Sequence, residues 1–120
     1  MAKIGFIGMG NMGTAIMRGL LKTYKPEELL FTSAHEAKMQ KITEETGVAH
    51  VSTATDCAEQ VKYLVLAVKP QQFDTVIGEI RDAVTEEQII ISIAPGITIA
   101  DLQKRFGKKC RIVRAMPNTP

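Results

Sequence analysis

The chain has 120 residues, 45% of them hydrophobic and 23% charged, with a formal net charge of +2. That is the length and balance of one soluble globular domain with a core of its own. The charge is too small, and the aromatics too few, for a nucleic-acid surface that stacks bases. No run of apolar residues is long enough to span a membrane as a helix.

Lys3–Ile7 reads as a buried strand and empties into Gly8, Gly10 and Gly13, spaced GxGxxG. Thr14–Leu21 follows as a helix, with Met12, Ala15, Ile16, Gly19 and Leu20 recurring at helical spacing. Each glycine has a distinct use. Gly8 permits a sharp turn, Gly10 leaves the backbone bare to a pyrophosphate, and Gly13 lets helix and strand pack closely. Unpaired amides at the helix start then face negative charge. Strand, tight turn and helix together predict a dinucleotide site. A secretory leader fits the apolar opening less well, because five glycines and Asn11 interrupt it and no small-residue cleavage site follows.

Beyond Lys25–Glu28, Leu29–Ser33 reads as a second strand and Ala34–Thr46 as a helix ended by Gly47. Val48–Val51 is a short third strand, and Thr55 is expected to cap a small helix reaching Gln60. Tyr63–Val68 is apolar throughout, the pattern of a strand covered on both faces. Pro70 suits a first helical turn, after which Phe73, Val76, Ile77 and Ile80 form one stripe. Ile89–Ile93 is the fifth strand. Thr98 with Asp101 resembles a capping box, opening a helix with Ile99, Leu102 and Phe106 inward and Gly107 at its end. Arg111–Ala115 is the sixth strand. Strand and helix alternate throughout, which predicts an α/β fold: a doubly wound parallel sheet, Rossmann-type, six strands ordered 3-2-1-4-5-6 in a single domain.

Ligands of such sheets bind beyond the carboxyl ends of the strands. The second strand end lacks the Asp or Glu that would bond a ribose 2′-hydroxyl and carries Thr32 and Ser33 instead. Hydroxyls, a helix-start amide, His35 or Lys38 suit a 2′-phosphate, so NADP is expected, with NAD possible through Glu36. His35 itself reads as a surface residue. Lys69 offers either its ammonium or its backbone where the fourth strand ends. Met9, Met12 and Met17 read as packing, His50 as an ordinary strand-end residue, and Lys104, Arg105, Lys108 and Lys109 as a solvated helix end. Cys57 and Cys110 match no CxxC or metal pattern and are expected to be partly buried thiols of a reducing, cytoplasmic compartment. No catalytic triad or metal set is visible.

KIGFIGMGNMGTAI at the start, LAVKP at 66–70, IAPGITI at 93–99 and RAMPNTP at 114–120 together resemble the pyrroline-5-carboxylate reductase family over the full length. The opening alone is shared with 3-hydroxyisobutyrate and 6-phosphogluconate dehydrogenases; VKP with RxMPNTP is more specific. The resemblance implies hydride transfer from NADPH, or NADH in some members, to the C=N carbon of the cyclic imine, giving L-proline. It implies that Ile7, Gly8, Met9, Gly10, Asn11, Met12 and Gly13 line the pyrophosphate and that Ser33 meets the adenosine phosphate. By the same resemblance Ala67, Val68, Lys69 and Pro70 follow the dinucleotide, Ile93, Ala94 and Pro95 approach the nicotinamide, and Asn118 lies at the substrate edge. Members often carry Asn where this chain has Ala54 and Ala where it has Pro95, whose nitrogen has no hydrogen to donate. Members also continue into a helical, dimerising domain that completes the substrate site. Residues 1–120 are therefore expected to be the cofactor-binding half, near-inactive alone, of an enzyme that is a homo-oligomer with a small-molecule substrate and no nucleic-acid or membrane partner. A 3-hydroxyacid dehydrogenase and a non-catalytic NADP-sensing module are the other readings.

Overall fold

The computed structural model describes residues 2–94 and 96–115. Six strands form one parallel sheet: β1 (Ile4–Ile7), β2 (Leu29–Thr32), β3 (Ala49–His50), β4 (Tyr63–Leu66), β5 (Ile89–Ser92) and β6 (Arg111–Arg114). Their order is β3-β2-β1-β4-β5-β6, as alternation of strand and helix predicted. β1 is central, in register with Leu29–Thr32 on one side and Tyr63–Leu66 on the other. Its four residues are all buried, and so are those of β2. The helices are α1 (Asn11–Leu20), α2 (Glu36–Thr46), α3 (Ala54–Glu59), α4 (Phe73–Ile80) and α5 (Ile99–Phe106). Short 3₁₀ turns occupy Pro26–Glu28 and Pro70–Gln72.

Two apolar layers hold the sheet. On one face Phe6, Phe31 and Val65 meet Met17 of α1 and Met39 and Ile42 of α2. On the other, Leu64, Leu66 and Ile90 meet Cys57 and Ala58 of α3, Phe73, Ile77 and Ile80 of α4, and Leu102 and Phe106 of α5. Each large side chain so buried is worth roughly 1.5–3 kcal/mol. Gln88 is one of three buried polar residues among those described, with Thr32 and Ser92. Its Nε2 donates to the carbonyls of Ala58 and Val61 at 2.6 and 2.7 Å, and its Oε1 accepts from the Thr85 amide at 2.9 Å. Every one of its bonds closes a loop end that the sheet leaves open.

Several boundaries differ from expectation, for local reasons. Most strands are one or two residues shorter, because the chain turns off the sheet as soon as the last ladder bond is made. α1 starts at Asn11, so Gly13 lies inside the helix, and its inner face is Gly13 and Met17 with Ile16 and Leu20 half-buried; Ala15 and Gly19 are exposed. The cap of α3 is Thr53, whose hydroxyl accepts from the Asp56 amide at 3.1 Å, and not Thr55, whose hydroxyl donates to the Glu79 carbonyl at 2.9 Å. Ile99 is exposed, and Ile97, just before the cap, takes its place in the core beside Leu102. That is a hydrophobic staple at the start of α5. The reciprocal half of the expected capping box is absent. Thr98 accepts from the Asp101 amide, while the Asp101 carboxylate pairs with Arg105 at 3.1 Å.

The basic helix end is not simply solvated either. Arg105 also reaches Asp74 on α4, and the Lys108 ammonium donates to the Val84 carbonyl at 2.6 Å. Both cysteines are unlinked and buried, more deeply than expected. Burial pushes the Cys57 thiol up to about 12, leaving it an inert core group. Burial also raises Cys110 above its ordinary value.

Candidate functional site

At the carboxyl end of the central strand the chain makes its tightest corner. Gly8 has φ +96°, and a Cβ there would sit 2.9 Å from both the carbonyl carbon and oxygen of Ala67. Only glycine fits such a backbone. The corner is pinned by Gly8 N–H donating to Thr32 and Ala67 N–H donating to Ile7, at 2.9 and 2.8 Å. Gly13 is crowded too: a Cβ would lie 3.0 Å from the Gly8 carbonyl oxygen and 3.1 Å from Ala67 Cβ. The glycine is what lets α1 lie against the turn.

Gly10 is different in kind. Its backbone is ordinary, φ −74°, and a Cβ there would meet no atom of the described residues within 4 Å. Nothing inside the fold explains its bareness. It stands at the N-cap of α1 without a side-chain cap, and the amides of Asn11, Met12 and Gly13 have no acceptor among the described residues. Three free N–H groups and the positive end of the helix dipole make this corner a receptor for an anion.

The corner opens into a cleft of about 940 Å³, large enough for a dinucleotide. Ile7, Gly8, Met9 and Gly10 form its floor; Ser33, Ala34, His35 and Lys38 form the β2 end; Ala67, Val68 and Lys69 form the β4 side. Met9 is almost wholly buried, and Met17 wholly so, which agrees with packing; Met12 is half-buried. At the β2 end the Ser33 amide donates to the Met39 sulfur at 3.3 Å, a weak acceptor. The His35 amide donates to the Ser33 hydroxyl at 3.4 Å, and α2, like α1, starts without a side-chain cap. His35 is exposed, as expected. Among the described residues no carboxylate lines this end: Glu36 is not part of the lining, and Glu79 joins it only from α4. The arrangement offers hydroxyl, amide and ammonium donors at this end.

The Lys69 backbone N–H donates to the Gln72 side chain at 3.3 Å and its carbonyl accepts from the Gln72 amide at 2.9 Å, while its ammonium has no partner among the described residues. Asn11, Met12, Gly13 and Pro70 stand beside the cleft and are not among the residues that form its wall. Ile93 and Ala94 follow β5, also outside that wall. Pro95 and Asn118 lie outside the described residues.

Ser52, Thr53, Ala54 and Thr55 form part of the wall, as do Gln71, Gln72, Thr75 and Val76. The hydroxyl residues Ser52, Thr53 and Thr55 just after β3 were the available signal for the first group. In the second, Val76 is half-buried and belongs to the apolar stripe of α4, while Gln71, Gln72 and Thr75 are exposed, with no pattern to mark them. His50 has a structural partner, Thr43, at 2.7 Å from Nδ1. Among the described residues no three His, Cys, Asp or Glu side chains gather as a metal site, and no helix is long and apolar enough to cross a membrane.

Residues 3–96 match the family described as NADP oxidoreductase, coenzyme F420-dependent. The chain is 34% identical, over 98% of its length, to the pyrroline-5-carboxylate reductase of Escherichia coli, of which it spans 45%. Among solved structures it is similar to a pyrroline-5-carboxylate reductase from Coxiella burnetii, with TM-score 0.91 and 38% identity, covering 99% of this chain and 45% of that one. It is also similar to the Plasmodium falciparum pyrroline carboxylate reductase with NADP bound, with TM-score 0.85 and 30% identity, covering 99% and 43% respectively. The chain thus spans less than half the length of these relatives.

Proposed function

The chain belongs to the family of NADP oxidoreductases described as coenzyme F420-dependent, and from that premise we propose that it is the cofactor-binding part of a pyrroline-5-carboxylate reductase. The observation that carries the reading is Gly10, bare toward the cleft for no reason of internal packing, at the open start of α1. The free amides of Asn11 to Gly13 hold the pyrophosphate. Ser33, His35, Lys38 and the uncapped start of α2 hold the adenosine 2′-phosphate, so NADP is favoured over NAD. Ala67 and Val68 supply apolar wall, and the Lys69 ammonium offers a positive charge beside the phosphates. Ile93, Ala94 and Pro95 follow β5 toward the nicotinamide, with Asn118 at the substrate edge. When bound, the reduced nicotinamide would supply a hydride to the imine carbon, which becomes a ring CH2 of L-proline as the nitrogen takes up a proton from solvent.

Hydride transfer needs donor and acceptor carbons held together with water excluded. The described residues build the donor's side of such a site. The proposal therefore includes a second, helical part of the enzyme that supplies the imine pocket and the contacts between subunits. The reading includes a cytoplasmic enzyme, in keeping with its two unlinked cysteines, and a small-molecule substrate.

Titration with NADPH and NADH, followed by nicotinamide fluorescence, tests the cofactor assignment. NADPH is expected to bind more tightly, and Lys38→Gln to weaken NADPH roughly tenfold while leaving NADH unchanged. Equal loss for both nucleotides would remove the 2′-phosphate from the β2 end. Failure of either to bind at millimolar concentration would overturn the reading as a whole.

A further inference from the structure

We propose that Ser92 is a positioning residue: its hydroxyl captures the Ala94 amide when the nicotinamide half of the cofactor binds, and so sets the backbone of Ile93 and Ala94 against the ring. This rests on the cofactor reading of the cleft. Ser92 is the last residue of β5 and only 1% exposed, and its Oγ is the buried side-chain polar atom that has no partner among the described residues. It lies on the face of the sheet that carries Ile90, in register with Leu66 on β4 and Arg114 on β6. Leu66 and Ile90 offer its hydroxyl no partner, and Arg114 makes no hydrogen bond to it. An alanine would fill the same place without leaving a hydroxyl unbonded, which is costly in a core.

The backbone around it is also incompletely bonded. Ile93 N–H reaches the Leu66 carbonyl only at 3.5 Å, where the equivalent bonds beside β1 measure 2.8 and 2.9 Å. Ala94 is buried, and its N–H has no acceptor among the described residues. The next residue in sequence is Pro95, whose nitrogen carries no hydrogen, so Ala94 supplies the last donor before Gly96. A serine hydroxyl accepting from the amide two residues on is a common local turn. Here acceptor and donor stand two residues apart, both unengaged, at the carboxyl edge where ligands of this fold bind. Closing that bond fixes the peptide between Ile93 and Ala94. With the amide left free, that peptide has no bond to the sheet among the described residues; the peptide before it is held by the long Ile93–Leu66 bond and by Ala115 N–H donating to the Ser92 carbonyl at 2.9 Å.

The test compares two probes on the 120-residue chain: NADPH, and adenosine 2′,5′-bisphosphate, which has the adenosine end and no nicotinamide. Ser92→Ala is expected to weaken NADPH about fivefold, the worth of one hydrogen bond, and to leave the bisphosphate unchanged. Its melting temperature without ligand should equal or exceed that of the parent, since an unbonded hydroxyl has been removed. Ser92→Thr, which keeps the hydroxyl, should restore NADPH affinity. If Ser92→Ala binds both probes as the parent does, or loses affinity for both equally, Ser92 does not position the nicotinamide end, and the cofactor reading stands. If the parent binds neither probe, both proposals fall together.

Discussion

The β1–α1 corner and the β5–α5 corner have the same plan, a parallel strand turning over the carboxyl edge of the sheet into a helix, yet they treat their first amides in opposite ways. At α5 the chain closes the helix with its own side chains. Thr98 accepts from the Asp101 amide, Asp101 places negative charge in the first turn, and Ile97 staples the entry to Leu102. At α1 there is no cap, no acidic residue in the first turn and no side chain at Gly10. The same contrast recurs between α3, capped by Thr53 with Asp56 behind it, and α2, which begins at His35 without a side-chain cap. α1 and α2 lie on one face of the sheet and both starts open on the cleft, whereas α4, also without a side-chain cap, lies on the other face and continues the 3₁₀ turn at Pro70–Gln72. The absence of a cap is thus a positive feature: it reserves hydrogen-bond donors for something other than the protein. It also explains why the α3 start, though it forms cleft wall, serves as wall only.

The comparison can be broken at the glycines. Gly8→Ala has the largest expected effect, because its Cβ meets the Ala67 backbone at 2.9 Å in a conformation disfavoured for any other residue. A loss of about 3 kcal/mol or more is expected in urea denaturation, from strain and overpacking together. Gly10→Leu should separate stability from binding. With open space around it and an ordinary φ, its stability should stay within about 0.5 kcal/mol of the parent, while NADPH affinity falls about a hundredfold as the side chain fills the pyrophosphate's place. If Gly10→Leu were as unstable as Gly8→Ala, the bareness of α1 would have a structural cause and the contrast with α5 would mean nothing.

How far the sequence announces this arrangement depends on which forces act locally. Continuous apolar runs at 63–68 and 89–93 revealed covered parallel strands, and alternation with helices revealed the sheet order, because both follow from backbone geometry and burial. The three glycines were equally legible, since each has a use within a few residues of itself. Reading failed where a choice is settled by tertiary neighbours. Thr53 and Thr55 are equivalent as caps in sequence; Thr55 loses the role because Glu79, on α4, stands where its hydroxyl can donate. Ile99 continues the stripe of Leu102 and Phe106 in spacing, but the first turn of α5 leaves it exposed, while Ile97 drops into the core. Gln88, polar and isolated in sequence, gave no sign of the three backbone groups it would bind. In the site, Ser33 and Lys38 were visible as chemistry, whereas Thr75 and Val76 join the wall only through the way α4 packs.

The smallest expected effect sharpens the contrast from its other side. Thr98→Ala removes the cap of α5, so the Asp101 amide loses its acceptor. Such caps are worth about 1 kcal/mol. The value here should fall toward the lower end, because the Ile97–Leu102 staple and the Asp101–Arg105 pair still fix the start of the helix. Thermal denaturation should register that loss, while the affinity for NADPH, measured on the same preparation, should not change. A cap that mattered to nucleotide binding would mean that the β5–α5 corner senses occupancy of the cleft through its helix. Unchanged affinity confines any such sensing to the strand end before it, at Ser92 and Ala94, and leaves the α1 and α2 starts as the helix termini whose amides face the ligand.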